Sequence, residues 1–131
     1  ETMAKYSDLG LLLLRVGIGI MLIAHGLPRS LGGVPLWKEF GKTMAVFGIS
    51  FAPELWGFMA AFIDVAGGIA LITGIFFTPF AALLAFEMAA IMFIHLNQGA
   101  DFSTISHPIE LGILFLSLIF IGPGKYVLLR L

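Results

Sequence analysis

The chain has 131 residues, of which 60% are hydrophobic and only 11% are charged. In soluble domains about a quarter of the residues are charged. This composition therefore excludes a water-soluble globular protein and predicts an integral membrane protein. The net charge of −1 excludes the basic surface that a nucleic-acid partner would need. The chain contains no cysteine, which excludes a disulfide relay or a thiolate metal site within it.

Four long apolar segments follow one another along the chain, at about residues 9–27, 55–75, 79–96 and 108–121. A membrane-spanning helix needs roughly 20 apolar residues, and backbone polar groups in lipid must be paired within the protein. These segments therefore predict four spanning helices. The short connections between the later segments favour an all-α, up-down-up-down four-helix bundle, with residues 1–131 forming a single membrane domain.

The connection between the first two spans is long, running from Pro28 to Pro53. Its large apolar side chains recur at steps of three and four residues: Trp37, Phe40, Met44 and Phe47. Charged residues occupy the rest of the helical wheel. This pattern predicts an amphipathic helix that lies in the membrane interface or covers the bundle. A re-entrant or irregular loop is the alternative.

Each predicted span carries an ionisable residue: Arg15, Asp64, Glu87 and Glu110 in chain order. A charge at the bilayer centre costs at least about 2.5–3.5 kcal/mol on insertion scales, so these side chains should face the bundle and find partners. Gly19 and Gly26 share a helix face with Arg15, and small residues mark the packed side of a membrane helix. An acid such as Asp64 or Glu87 beside Arg15 would be held ionised.

The alternating topology brings the three histidines to one membrane face, because His25 and His95 end their spans and His107 begins the last one. Pro108 suits the first turn of a helix, so the last helix is predicted to begin at about His107, with Glu110 in its first turn. We therefore expect a polar pocket at this mouth of the bundle. At least one of His25 and His95 should approach His107 or Glu110 to within about 4–4.5 Å.

Two interpretations of these polar residues stay open. Arg15, Asp64 and Glu87 can form a buried ion network that fixes helix register, or a proton path that reaches the mouth through Glu110. Histidine and carboxylate groups exchange protons near neutral pH, and a hydrophobic pocket with a few such groups suits a quinone. Di-metal carboxylate bundles use repeated Glu-x-x-His pairs, and only one reversed pair, His107-x-x-Glu110, is present. Histidines on separate helices could ligate zinc or haem, but nothing in their spacing demands either, so a metal or haem is not expected.

Three stretches of the sequence resemble the DoxX family of membrane proteins. The first is "LLLLRVGIGIMLIAHGLPRSLGG" (Leu11 to Gly33), with its arginine and its closing histidine-glycine-proline region. The second is the glycine-rich "GGIALITGIFFTPFAALLA" (Gly67 to Ala85), and the third is "HLNQGADFSTISHPIELGILFLSLIFIGPGKYVL" (His95 to Leu128). Their order and spacing carry the resemblance over nearly the whole chain.

The resemblance implies a four-helix membrane bundle connected with quinone chemistry, since the family is named after a subunit linked with a terminal quinol oxidase. The positions that match are Arg15, His25, Glu87, His107 and Glu110. Asp64 stands where many relatives have glutamate. We accordingly predict catalytic roles for one set of residues: Glu110, His107 and Glu87. A second set is predicted to bind the ligand: Arg15, His25, Asp64 and His95.

The sequence therefore predicts a membrane subunit of a quinone-linked oxidoreductase system, with quinone as the cofactor. The alternatives are a non-catalytic scaffold or assembly subunit for a redox complex, and a small-solute or proton conductor. The expected partners are the lipid bilayer and either further copies of the chain or a larger redox complex. The count of basic residues does not decide the orientation, because Lys5, Lys125 and Arg130 flank the terminal face and Arg29, Lys38 and Lys42 the other. The terminal ones lie close to their spans and so favour cytoplasmic termini, in a bacterial or archaeal cytoplasmic membrane.

Overall fold

The computed structural model describes residues 2–127, which form five α-helices and one 3₁₀ helix. The α-helices are α1 (Thr2–Leu31), α2 (Val34–Gly41), α3 (Pro53–Thr73), α4 (Phe77–Asn97) and α5 (Phe102–Ile121), and the 3₁₀ helix (Lys42–Phe47) follows α2. Four candidate spans occur within these residues: Tyr6–Leu31, Pro53–Thr73, Phe77–Asn97 and Phe102–Ile121. The chain is therefore an all-α integral membrane bundle, as its composition predicts. Arg130 lies outside the described residues.

Helices α1 and α3 pack with their backbones in contact, at positions that glycine occupies. A Cβ atom added to Gly19 would lie 2.7 Å from the carbonyl oxygen of Gly68, and one added to Gly26 would lie 3.0 Å from that of Ala61. The pairs run in opposite directions along the two helices, so α1 and α3 are antiparallel. Arg15, Gly19 and Gly26 are all buried, which confirms the predicted packing face of α1.

The apolar core lies between the four long helices. Its buried members come from all of them and include Leu22, Leu71, Leu84, Phe115 and Leu118. Helix α3 packs against α4, and α4 packs against α5. Along the described residues, however, no Cα atom of α1 comes within 8 Å of a Cα atom of α5. The bundle therefore has one wide seam, between α1 and α5.

The connection between α1 and α3 is helical, as its apolar pattern predicts. The ring of Trp37 on α2 meets Phe58 of α3 edge-on at 4.8 Å between centroids, and Phe47 of the 3₁₀ helix stacks on Phe93 of α4 at 5.5 Å. Lys38 on α2 is exposed. The aromatic side chains of this amphipathic segment therefore pack against the first turns of α3 and the last turns of α4.

The predicted start of the last helix at His107 is wrong, because α5 begins at Phe102. Asp101 is its N-cap, and the Asp101 Oδ1 atom accepts hydrogen bonds from the backbone amide of Thr104 at 3.1 Å and from its hydroxyl at 2.9 Å. Pro108 lies inside the helix. Because proline has no N–H group, the carbonyl of Thr104 lacks its α-helical donor. An aspartate immediately before the first residue of a helix is a common N-cap, and this signal marks the start of α5 more accurately than Pro108 does.

Candidate functional site

Arg15 is buried against backbone carbonyl groups, with only 1% of its surface exposed. Its Nε atom donates to the Leu71 carbonyl at 2.8 Å, and Nη2 donates to that of Ile72 at 3.1 Å. Its Nη1 atom donates to the carbonyls of Pro123 at 2.8 Å and Tyr126 at 2.5 Å. The predicted pairing of Arg15 with Asp64 or Glu87 is therefore wrong.

The local fold explains why Arg15 binds at this place. The last carbonyl groups of a helix have no intrahelical donor and carry the negative end of its dipole. Helix α3 ends at Gly74, whose φ of 83° turns the chain away and leaves the carbonyls of Leu71 and Ile72 accessible. The guanidinium group supplies five N–H donors in a fixed fork. Arg15 thus ties α1 to the end of α3 and to the segment after α5.

Asp64 forms an ion pair with Arg29, in which Nη2 of the arginine donates to Oδ2 of the carboxylate. The Asp64 side chain is 5% exposed and the Arg29 side chain 34%. Arg29 is not among the site residues that the sequence predicts. It lies on α1 because Pro28 does not end this helix, which continues to Leu31. A signal was present: Arg29 extends the packed stripe of Arg15, Gly19, Leu22 and Gly26 by one more step of three residues.

Helix α2 holds Arg29 in place. The indole Nε1 atom of Trp37 donates to the Arg29 carbonyl at 3.0 Å, and the guanidinium carbon lies 5.4 Å from the centre of the Phe40 ring. A cation over an aromatic face is attracted by the ring quadrupole. The amphipathic segment therefore positions the cation that neutralises Asp64.

Glu87 is buried, with 8% of its surface exposed. Within the described residues, Oε1 and Oε2 of Glu87 and Oδ1 of Asp64 are buried without a hydrogen-bond partner. Arg29 pairs with the other oxygen of Asp64, whereas Glu87 has no ion-pair partner in the described part of the chain. Buried polar atoms left open in this way can bond to a ligand or to water.

The three histidines line one cavity of about 420 Å³, together with Arg29 and Asp64. His25 comes from the last turns of α1, His95 from the end of α4 and His107 from the second turn of α5. The predicted gathering of the histidines at one end of the bundle is therefore confirmed. Among residues 2–127 no hydrogen bond joins them to one another, so the predicted close approach stays a prediction.

Glu110 does not line this histidine cavity, and its side chain is exposed. With α5 beginning at Phe102, Glu110 lies beyond the first turn and on a different side of the helix from Thr104 and Leu111, which do line it. The predicted pocket formed by His107 and Glu110 is corrected accordingly. Asp64 supplies the carboxylate of the cavity. In the described part of the chain, no three histidine or acidic residues form a group that could hold a metal ion.

The comparison with known families agrees with the fold. The model of the DoxX family matches residues 10–96, which include α2, α3, almost all of α4 and α1 from Gly10 onward. His107 and Glu110 on α5 lie beyond the matched range. No curated protein and no solved structure matches the chain significantly. The family model covers well over half of the sequence, and the chain belongs to the DoxX family.

Proposed function

We propose that this chain is a membrane subunit of a quinone-linked oxidoreductase system and that the histidine cavity receives the quinone ring. The observation that carries the proposal is the lining of this cavity: three imidazoles, one ion pair and apolar side chains around about 420 Å³. Ligand pockets typically measure about 300–1,000 Å³ and combine an apolar wall with a few convergent polar groups.

The side chains around the cavity suit the two needs of a quinone. Imidazole N–H groups and the guanidinium of Arg29 can donate hydrogen bonds to its carbonyl oxygens. Reduction to the quinol also takes up protons, which histidine and carboxyl groups can deliver. Asp64 and Glu87 would pass a proton inward from the cavity. The electrons come from a redox partner, because the side chains of this cysteine-free chain bind and move protons but do not store electrons.

The wide seam between α1 and α5 offers a route from the bilayer. His25 and His107 stand on these two helices and are exposed at the cavity. A quinone with a lipid tail could therefore leave its tail in the membrane while its ring enters. The catalytic roles predicted for His107, Glu87 and Glu110 stay predictions. The exposed Glu110 keeps its predicted role only if Glu110→Gln lowers quinone-linked activity in a normally folded protein.

A proton or solute conductor is less well supported. A conductor needs polar groups that reach both membrane faces. Here the apolar core lies between Asp64, towards one end of the bundle, and Arg15, towards the other. Leu71, Leu84 and Leu118 are each at most 1% exposed there. Arg15 itself donates four hydrogen bonds to carbonyl groups. A scaffold without chemistry of its own remains the second candidate, and the experiment below separates it from the first.

We also propose that the protein resides in a bacterial or archaeal cytoplasmic membrane with both termini cytoplasmic. In this arrangement α2 and the histidine cavity face the opposite side. A redox partner, in a larger complex or with further copies of this chain, would then supply the electrons. The exposed apolar surface of the four spanning helices contacts lipid, and it is also where such subunits would associate.

Photolabelling with an azidoquinone tests the proposal directly. The protein in lipid nanodiscs would be irradiated with the probe, and the labelled peptides would be identified by mass spectrometry. We expect saturable labelling of peptides around His25, His95 and His107, suppressed by an excess of unlabelled quinone. His107→Ala should weaken the labelling, whereas Ser117→Ala, an exposed position on the same helix, should leave it unchanged.

Two results would contradict the proposal. Labelling that does not saturate would show that the probe only partitions into lipid. Saturable labelling confined to surfaces outside the histidine cavity would place the quinone elsewhere. Either result in a folded protein would leave the scaffold as the better interpretation.

A further inference from the structure

A second cavity, of about 220 Å³, lies between the amphipathic segment, α3 and α4. Its walls are apolar and aromatic, with Phe40, Met44 and Phe86 among them. Two polar side chains line it, Trp56 from α3 and Glu87 from α4. We refer to it as the Trp56–Glu87 cleft.

Both polar side chains leave hydrogen-bonding atoms unused in this cleft. The indole Nε1 atom of Trp56 and both carboxyl oxygens of Glu87 are buried without a partner among the described residues. Glu87 is more than nine-tenths buried. Buried polar groups are nearly always hydrogen-bonded, because an unpaired one loses its hydration without replacement. A donor and an acceptor left open in one small cavity indicate a ligand that bonds to both.

We propose that the Trp56–Glu87 cleft binds a neutral, membrane-soluble aromatic ring that carries a hydroxyl group, either a phenol or a hydroquinone. The hydroxyl oxygen accepts a hydrogen bond from the indole N–H of Trp56. Its proton is donated to the carboxyl group of Glu87. A hydroxyl is both a donor and an acceptor, so it can bond to Glu87 in either protonation state.

The size of the cleft fits one ring. An apolar cavity of about 150 Å³ is enough to hold benzene in another protein, and the Trp56–Glu87 cleft offers about 220 Å³. A neighbouring cavity of about 520 Å³ shares Met44, Trp56 and Phe86 with it. An alkyl tail on the ring could therefore extend into this apolar neighbour.

The charges near the cleft favour a neutral ligand. Glu87 is the acidic residue that lines the cleft, and Asp64, which does not line it, is already paired with Arg29. An anionic ring would find no cation among the lining residues, and a cationic one would have to leave water for an apolar cavity. A neutral hydroxyl meets the two open polar atoms without adding a buried charge.

This site is distinct from the histidine cavity and goes beyond the proposed function. Glu87 and Trp56 line the cleft and do not line the histidine cavity, whereas Asp64 lines the histidine cavity only. Aromatic alcohols could bind in the cleft even if no quinone enters the other cavity.

Fluorine NMR with two matched probes tests the inference. The protein in nanodiscs would be titrated with para-fluorophenol and with para-fluorotoluene, which has the same ring without the hydroxyl. Empty nanodiscs would correct for partitioning into lipid. We expect saturable binding of the phenol that is about tenfold tighter than that of the toluene analogue. Trp56→Phe, which keeps a ring but removes the N–H donor, should weaken phenol binding about tenfold.

Glu87→Leu, which removes the acceptor, should also weaken phenol binding, while Glu39→Leu, the same change at an exposed position on α2, should not. A para-fluorinated hydroquinone probe then distinguishes the sources: tighter binding than the phenol favours a quinol, and equal binding favours a simple phenol. Equal affinity for the phenol and the toluene analogue would overturn the proposal, as would unchanged phenol binding in Trp56→Phe. Because the probe comparison uses the unaltered protein, it stands even if Glu87→Leu fails to fold.

Discussion

Arg15, which is buried, and Arg29, which is partly exposed, are stabilised in different ways. Arg15 is surrounded by carbonyl groups from the end of α3 and from the segment after α5, so its charge is balanced by dipoles. Arg29 meets a carboxylate, and about a third of its side chain remains accessible. The first arrangement ties elements together without a titratable partner. The second leaves Asp64 dependent on a single cation.

Replacing Arg15 tests the carbonyl arrangement. Arg15→Ala should lower the free energy of unfolding by at least about 1–3 kcal/mol, because buried carbonyls lose their donors. Arg15→Lys should recover only part of this loss, since an ammonium group cannot reach the carbonyls in a planar fork. Unfolding in detergent would measure both, with the lipid-facing Leu13→Ala, 76% exposed, as the control. A melting temperature equal to that of the parent would disprove the role of Arg15.

The pair of Arg29 and Asp64 predicts an asymmetric response. Arg29→Gln strands a carboxylate that is 5% exposed, whereas Asp64→Asn leaves an arginine that can still reach water. We therefore expect Arg29→Gln to destabilise more than Asp64→Asn, and the double variant to resemble Asp64→Asn. Unfolding of the three variants under one condition would measure this. Equal losses for the two single variants would contradict the burial difference.

Among the elements, the interface of α1 and α3 depends on the absence of side chains. A Cβ atom at Gly19 would lie 2.7 Å from the carbonyl oxygen of Gly68, while one at Gly17 would meet nothing within 4 Å. Both glycines belong to the same helix. The same substitution at Gly17 is therefore a matched control for a substitution at Gly19.

We expect Gly19→Ala to lower the free energy of unfolding by about 1–3 kcal/mol through overpacking. Gly17→Ala should leave stability unchanged or raise it by up to about 1 kcal/mol, because alanine is the better helix former. Both variants would be compared by unfolding in the same detergent. Similar effects at the two positions would mean that α1 and α3 are not in backbone contact at Gly19.

The start of α5 predicts a dependence on pH. Hydrogen bonds from the hydroxyl and the amide of Thr104 hold the pKa of Asp101 below its usual value of about 4. The cap therefore stabilises the first turn above about pH 4 and loses this effect as the pH falls through the lowered pKa. The protection factor of the Thr104 amide against hydrogen exchange should fall as the pH drops through the lowered pKa of Asp101. Asp101→Asn, which caps without titrating, should show no such fall.

At the scale of the whole molecule, the bundle is closed on three sides and open on the fourth. Backbone contact joins α1 to α3, α3 to α4 and α4 to α5, while α1 and α5 stay apart. The histidine cavity reaches this seam at the end that α2 partly covers. The opposite end of the bundle is held together by Arg15.

The alternating helices predict that α2 and the segment after α5 lie on opposite sides of the membrane. Single cysteines would be introduced into this cysteine-free chain at Lys38, Lys42 or Lys125, all of them exposed. An impermeant maleimide should label the first two positions in intact cells, and the third only in inverted vesicles. Labelling of Lys125→Cys from outside intact cells would reverse the orientation. Labelling of all three positions from one side would refute the four-span topology.

Several features could be derived from the sequence because they follow from its hydrophobic composition, from the helical periodicity of its apolar residues and from the alternating direction of successive spans. The four spans, the helical segment between the first two, the packed face of α1 and the gathering of the histidines need only the positions of residues along regular helices. Arg29 could have been added by extending the same stripe past Pro28. The start of α5 could have been placed by giving the cap at Asp101 more weight than Pro108.

The partners of the buried charges were decided only by the tertiary structure. Backbone carbonyls have no sequence signature, so nothing in the residue pattern indicated that Arg15 would bind the ends of other segments. The rotation of α5 about its axis, which turns Glu110 away from the histidines, depends on how its apolar side chains fit against α4. The Trp56–Glu87 cleft likewise arises where three elements meet. Such contacts depend on distances between distant parts of the chain, which periodicity alone does not determine.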